Sequence, residues 1–191
     1  MSGKTYAQYC GLAKALDHVG DRWTLLIVRE LLVGGRRYSQ LRAALPGVAT
    51  NLLADRLREL TEDGIVESGE EGYQLTPFGR ELEDAVNGLV RWGGRWMTER
   101  DEHEMFRPEW LVVALRALLP ARRPSQIQLR IEDQDLYVGR TKIGLGTIAD
   151  PDAVVEGRAD TLLGVVTGHA KLSALRVRGD RAAAAAALVR S

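Results

Sequence analysis

The segment PGVATNLLADRLRELTEDGIVESGEEGYQL, from Pro46 to Leu75, constrains the fold more than any other stretch of the chain. Pro46-Gly47 makes a turn, because proline fixes φ and glycine admits the left-handed backbone that turns use. Leu53, Leu57 and Leu60 then recur at helical spacing, and Gly64 stops the helix. IVESGEEGYQL alternates and carries glycines where a two-stranded hairpin would turn. Just before the turn, YSQLRAAL has the length and composition of a short helix. Two short helices across a Pro-Gly turn, followed by a hairpin, make a helix-turn-helix with a wing.

The flanking sequence extends the helical pattern. Leu12, Leu16 and Val19 share a helical face that Gly20 closes. Asp21 can cap the next helix, where RWTLLIVRELL sets Trp23, Ile27 and Leu31 on one side with Leu26 beside them, and Gly34-Gly35 ends it. Thr76-Pro77 is a helix start, a capping hydroxyl followed by proline at the first helical position. The helix it opens is expected to run to about Met97, with Leu82, Val86, Leu89 and Val90 on one side and Trp92 and Trp96 on a neighbouring face. A second apolar face implies a dimer or domain interface.

Charge points to a partner for the winged half. Lys+Arg and Asp+Glu both total 26, so global charge selects no partner and a nucleic-acid surface must be local. From Arg36 to Arg58 the basic residues Arg36, Arg37, Arg42, Arg56 and Arg58 face one acid, Asp55. Cations so gathered neutralise phosphates and release counterions, the main source of non-specific affinity for DNA. With Leu53, Leu57 and Leu60 inward, Thr50, Asn51, Ala54, Asp55 and Arg58 face outward at the front of the helix, where recognition helices reach base edges. Asn51 can make a two-point contact with adenine, and Arg58 can reach guanine or a phosphate. A solvated helix face is the alternative for an isolated patch; the adjoining helix, turn and hairpin argue against it. The expected DNA-contacting set is Arg36, Arg37, Tyr38, Ser39, Thr50, Asn51, Asp55 and Arg58.

The stretch from Cys10 to Val66 resembles the HxlR-type winged-helix regulators, relatives of the MarR group. The matching residues are Cys10, Gly20-Asp21-Arg22-Trp23, Arg37-Tyr38, Leu41, Pro46-Gly47, Leu53, Arg56-Leu57, Leu60, Gly64, Leu75-Thr76 and Gly79. The resemblance implies a homodimeric transcriptional regulator whose helix after the Pro-Gly turn enters the major groove of double-stranded DNA. This sequence departs from the family pattern in three places. Ala49 stands where serine is common, so the cap shifts to Thr50 or is weakened at about 1 kcal/mol. Asn51 replaces a common basic residue, trading a phosphate contact for base reading. The wing tip is short and acidic, and Glu67, Glu70 and Glu71 would repel DNA. Cys10 resembles the redox- or electrophile-sensing cysteine of several such regulators, with Lys4, Lys14 and Arg22 near enough in sequence to activate its thiol; a small buried hydrophobe is the alternative.

Beyond TERDEHEMFRP the pattern shifts from helices to a mixture. WLVVALRALLP reads as one apolar helix, and IQLRIED alternates, with Ile127, Leu129 and Ile131 on one face and Gln128, Arg130 and Glu132 on the other. DLYVGR and IGLGTI read as strands, ADTLLGVVTG as a helix closed by glycine, ALRVRGD as a strand, and DRAAAAAALVR as a helix capped by Asp180. That element order resembles the sterol-carrier-protein fold, which implies an apolar cavity for a small hydrophobic ligand. The expected lining is Trp110, Leu111, Leu115, Leu129, Ile131, Tyr137, Leu145, Leu162 and Val166, with Leu188 and a polar His169 also in reach. Each taken singly also suits an ordinary core.

The expected fold class is therefore mainly α with a small β-hairpin (residues 1–104, DNA binding and dimerisation), then a small α+β sterol-carrier-like domain (residues 105–191, ligand binding). No apolar run approaches about 18 residues, the N-terminus MSGKTYAQYCG lacks a signal peptide's apolar core, and one cysteine allows no internal disulfide, so a cytoplasmic protein with no membrane partner is expected. No Gly-rich phosphate loop, paired-cysteine motif or nucleophile elbow occurs, and His18, His103 and His169 are scattered. No catalysis, metal or cofactor is expected. The resulting expectation is a one-component transcriptional repressor that senses a small hydrophobic ligand; the alternatives are a thiol sensor through Cys10 with a structural rear half, or a lipid or small-molecule carrier.

Overall fold

A computed structural model describes residues 5–97, 101 and 103–189. Lys4, part of the charged stretch before Met105, and Arg190 lie outside the described residues. Contacts group the chain into two compact units, Met1–Val86 and Asn87–Ser191, whereas the sequence places the change of pattern near residue 105.

In the first unit α1 (Gly11–Val19), α2 (Thr24–Val33), α3 (Tyr38–Ala44) and α4 (Thr50–Glu62) precede a hairpin of β1 (Val66–Gly69) and β2 (Gly72–Leu75). α2 begins where Asp21 accepts from the Trp23 amide at 2.7 Å and the Thr24 amide at 3.3 Å, satisfying donors that a helix start leaves free. Its Ile27, Val28 and Leu31 are fully buried, as are Leu41 and Leu45 around α3 and Leu53, Leu57 and Leu60 of α4. Gly47 takes φ +88° in the turn and Gly64 φ +69° after α4, both in the left-handed region that glycine enters without cost. α1 differs from its expected packing: Ala13 and Val19 are buried, while Leu12 is 69% exposed.

The helix expected from Pro77 to Met97 is broken into α5 (Pro77–Arg80), α6 (Leu82–Gly93) and a 3-10 turn at Gly94–Trp96. Its start is as read: Thr76 Oγ1 accepts from the Gly79 amide at 3.0 Å. Its end comes early because Gly93-Gly94 carry the weakest helix propensity of any non-proline pair. Trp92 and Trp96 meet edge to face, 4.5 Å between ring centres.

The second unit holds α7 (Pro108–Leu118), β3 (Ile127–Ile131), β4 (Gln134–Val138), β5 (Ile143–Leu145), β6 (Ala153–Gly157), α8 (Ala159–Thr167), β7 (Arg176–Gly179) and α9 (Arg181–Leu188). The sheet order is β5-β4-β3-β6-β7, antiparallel except for the parallel β3–β6 pair. Strand β6 is not among the expected strands, because AVVEG is short and sits between the Asp150-Pro151-Asp152 turn and a helix. Its alternation is nonetheless real: Ala153 and Val155 join the core of Leu111, Leu115, Ile127, Leu129, Ile131, Leu136 and Leu162. Gln128 is also corrected. It lies on the polar side of the period-2 pattern yet is buried, because its amide donates to the Leu136 carbonyl at 2.9 Å and accepts from the Ile148 amide at 3.0 Å. Asp180 caps α9, accepting from the Ala182 and Ala183 amides at 2.8 and 3.1 Å.

Candidate functional site

Three contacts fix the starts of α3 and α4 and the middle of α4. The Tyr38 hydroxyl donates to the Thr50 carbonyl at 2.8 Å, fixing the start of α3 against the start of α4. Arg37 opens α3 with its amide donating to Gln40 Oε1 at 2.7 Å. Arg56, half-buried, lies 3.4 Å from Asp21 and pairs with Glu59, tying the middle of α4 to the start of α2. Ala49 is the N-cap of α4 and offers no side-chain hydrogen bond, so the cap is weakened rather than moved to Thr50, which is already the first helical residue.

These contacts divide the expected DNA-facing residues. Arg37, Ser39, Thr50, Asn51 and Arg58 are exposed, and Tyr38, Asp55 and Arg36 are half-buried. Arg37 and Arg42 enter no ion pair among the described residues. Arg58 pairs with Asp55 at 3.0 Å and lies 3.9 Å from Glu62, all on the surface. Exposed pairs of this kind are worth about 1 kcal/mol or less, so a phosphate can displace Asp55. Arg56, by contrast, belongs to the scaffold. The count of five arginines overstated the available charge, since sequence alone could not show Asp21 reaching Arg56 across two helices.

The wing is joined by its backbone to the segment before α3. Arg36 and Tyr73 exchange amide-to-carbonyl bonds at 2.9 and 2.8 Å, an isolated antiparallel bridge on β2 beside the β1–β2 pair. The β1–β2 turn is only Glu70-Glu71, and Glu67, Glu70 and Glu71 are exposed, with Gln74 donating to Glu67 at 2.8 Å. An acidic tip this short adds no cation to the surface.

Cys10 is exposed and stands at the N-cap position of α1, where its side chain makes no capping bond. The amides of Ala13, then Leu12, at the helix start favour the thiolate and hold the thiol below the ordinary cysteine value. The expected activators act elsewhere: Lys14 lies 3.9 Å from Asp17, and Arg22 lies over the Trp23 ring.

In the second unit a cavity of about 410 Å³ is lined by Trp96, Met97, Met105, Phe106, Trp110, Leu111 and Leu163, with Glu104 and Asp160 as its charged groups. A neighbouring cavity of about 310 Å³ shares Met97, Ala114, Asp160 and Leu163 and reaches Arg95 and His169. Of the expected ligand-lining residues, Trp110 and Leu111 border the larger cavity. Leu115, Leu129, Ile131, Leu162, Val166 and Leu188 are fully buried and packed into the core instead. Tyr137 lies flat against Gly144, where an added methyl would sit 2.8 Å from its hydroxyl, and Leu145 is 41% exposed. The lining residues missed by sequence are Trp96, Met97, Met105 and Phe106. The apolar Met105-Phe106 pair inside a charged stretch was the available signal.

Among the described residues no three His, Cys, Asp or Glu side chains are grouped to hold a metal, and no helix is long and apolar enough to cross a membrane.

Helices α3 and α4 across the Pro-Gly turn, with the β1–β2 hairpin behind them, define a winged helix-turn-helix. The sequence profile described as HxlR-like helix-turn-helix matches residues 18–101. The chain is 34% identical over 91 residues to the uncharacterized HTH-type transcriptional regulator YvaP of Bacillus subtilis, covering 44% of this chain and 84% of that one. It is 37% identical over 112 residues to the uncharacterized HTH-type transcriptional regulator Rv3095 of Mycobacterium tuberculosis, covering 55% of this chain and 65% of that one. It thus spans just under two thirds of the mycobacterial relative's length. Quinone-bound YodB from B. subtilis is a similar solved structure at 30% identity, covering 44% of this chain and 96% of that one with a TM-score of 0.42. The chain belongs to the HxlR-like helix-turn-helix family.

Proposed function

We propose that the protein is a one-component, cytoplasmic transcriptional repressor that binds double-stranded DNA as a homodimer. The observation that carries this reading is the exposed front of α4, with Thr50 and Asn51 at the helix start, together with the exposed Arg37 and Arg42 at the start and in the last turn of α3, which enter no ion pair among the described residues. Asn51 reads a base edge, Arg37 and Arg42 hold phosphates, and the acidic wing stays clear of the duplex. Two copies place two such helices in successive major grooves, about 34 Å apart.

The halves 1–104 and 105–191 divide the work: the first binds DNA and dimerises, and the second, sterol-carrier-like in its element order, receives a small hydrophobic molecule. The cavity walled by Met105, Phe106 and Trp110, completed by Trp96 and Met97 from the end of the first half, supports that second role. Ligand binding represses or releases DNA only through different affinities for the two dimer geometries. A gel shift with DNA from upstream of the protein's own gene, at two salt concentrations, tests the reading. A retarded complex that weakens at higher salt is expected; no complex at either salt defeats it.

A second reading is thiol sensing through Cys10, favoured by its exposure and by the helix-start amides that lower its pKa. Replacing Cys10 with Ser abolishes an oxidant response under this reading and leaves a response to hydrophobic ligand under the first.

A further inference from the structure

One end of the second unit carries a concentration of cations that the proposed DNA-binding helix does not use. The loop from Leu119 to Gln126 contains Arg122 and Arg123, the turn from Gly139 to Lys142 contains Arg140 and Lys142, and neither segment contains an acid. The two are stitched together by backbone: the Arg123 amide donates to the Arg140 carbonyl at 2.9 Å, and the Gly139 amide to the Lys142 carbonyl at 2.8 Å. Arg116 of α7 reaches the same corner, its guanidinium donating to the Ile143 carbonyl at 2.9 Å.

The Arg123 side chain is built in. It is 6% exposed, its Nε donates to the Gly139 carbonyl at 2.6 Å, its Nη1 to Pro120, and its Nη2 has no partner among the described residues. Burial lowers its pKa, but an arginine stays charged through the whole physiological range. Among the described residues the buried Arg123 guanidinium enters no ion pair and bonds only to backbone carbonyls. Around it Arg122, Arg140 and Lys142 are exposed and form no ion pair among the described residues. At the end of the loop the Gln126 amide donates to the Asp152 carboxylate at 2.8 Å.

Three exposed cations without an ion pair among the described residues, gathered round a buried fourth in a chain of zero net charge, ask for a polyanion. We propose that this corner of the second unit holds the phosphodiester backbone of duplex DNA, a contact that carries no base preference. This rests on the proposed function, which supplies DNA as the polyanion. Phosphate contacts of this kind add affinity and salt dependence without adding base preference.

The test uses the full chain and a triple variant, Arg122→Ala with Arg140→Ala and Lys142→Ala, all at exposed positions, with thermal melting to confirm an unchanged fold. Affinity for a duplex with long flanks is measured against salt, alongside Arg37→Ala and binding to anionic phospholipid vesicles. The expected result is a log–log salt slope shallower by about 2 to 3, at about 0.9 per lost phosphate contact, with the ratio of specific to random-sequence affinity unchanged. A slope equal to that of the unmodified protein, while Arg37→Ala still weakens binding, overturns this inference and leaves the helix reading standing. Loss of vesicle binding with DNA binding intact overturns it in favour of a lipid partner. Failure of the unmodified protein to bind any duplex overturns both.

Discussion

The Tyr38 hydroxyl and the Thr50 carbonyl, 2.8 Å apart, close the turn between the two helices of the helix-turn-helix. The bond takes one of the backbone groups at the start of α4 and sets the angle at which that helix leaves the turn. Ala49 leaves the first amides of α4 without a side-chain cap, and this bond, made to a carbonyl, does not replace one; it holds the start of α3 against the start of α4.

Tyr38→Phe keeps the ring and removes the donor. It is expected to cost up to about 1 kcal/mol in stability, the usual net worth of one such hydrogen bond. It is also expected to weaken DNA binding more than this loss explains, since the helix start becomes free to move. Urea unfolding and a DNA titration on the same variant separate the two effects; equal affinity to the parent protein contradicts the coupling.

Gly72 governs how the wing meets the segment before α3. Its φ of +112° excludes most side chains, and an added Cβ would lie 2.5 Å from the Arg36 carbonyl oxygen. Both objects are backbone, so nothing flexible can give way. Gly72→Ala is expected to destabilise by about 1–3 kcal/mol and to lower the melting temperature. An unchanged melting temperature contradicts the tight approach of hairpin and Arg36.

The Cys10 thiol lies below its ordinary pKa because the amides of Ala13 and Leu12 favour the thiolate. The sign follows: the contribution to stability is full above the unfolded-state pKa and is lost as pH falls through the folded-state value. Alkylation by iodoacetamide is therefore expected to rise at lower pH in the folded protein than in urea. Coincident profiles contradict the helix-start effect.

Much of the winged unit was legible in the sequence, because its punctuation is local. Pro46-Gly47, Gly64 and Thr76-Pro77 mark boundaries by backbone chemistry alone, and Leu53, Leu57 and Leu60 mark the inner face of α4. What escaped depends on distance in the chain. Asp21 reaches Arg56, and Gln128 finds partners at Leu136 and Ile148, so a cation left the DNA surface and a polar residue entered the core. The apolar wall of the cavity was also misplaced. Leu129, Ile131 and Leu162 look like lining residues in sequence but pack solidly, while Met105 and Phe106 were hidden among charges.

Two tryptophans in the larger cavity provide a direct signal for occupancy. Trp96 and Trp110 border it, so a hydrophobic molecule that enters should quench or shift tryptophan emission in a saturable way. Ala114→Trp fills part of the space and is expected to weaken that binding at least tenfold with no loss of DNA affinity. Retained ligand binding in this variant places the site elsewhere.

The central claim is that two copies of α4 read one duplex, and hydroxyl-radical footprinting on a selected binding site measures this most directly. Two protected patches on one face of the DNA, centred about one helical turn apart, are expected. Asn51→Ala should relax base preference within each patch, and Arg37→Ala should weaken both. A single patch, or none in dilute buffer, contradicts the account.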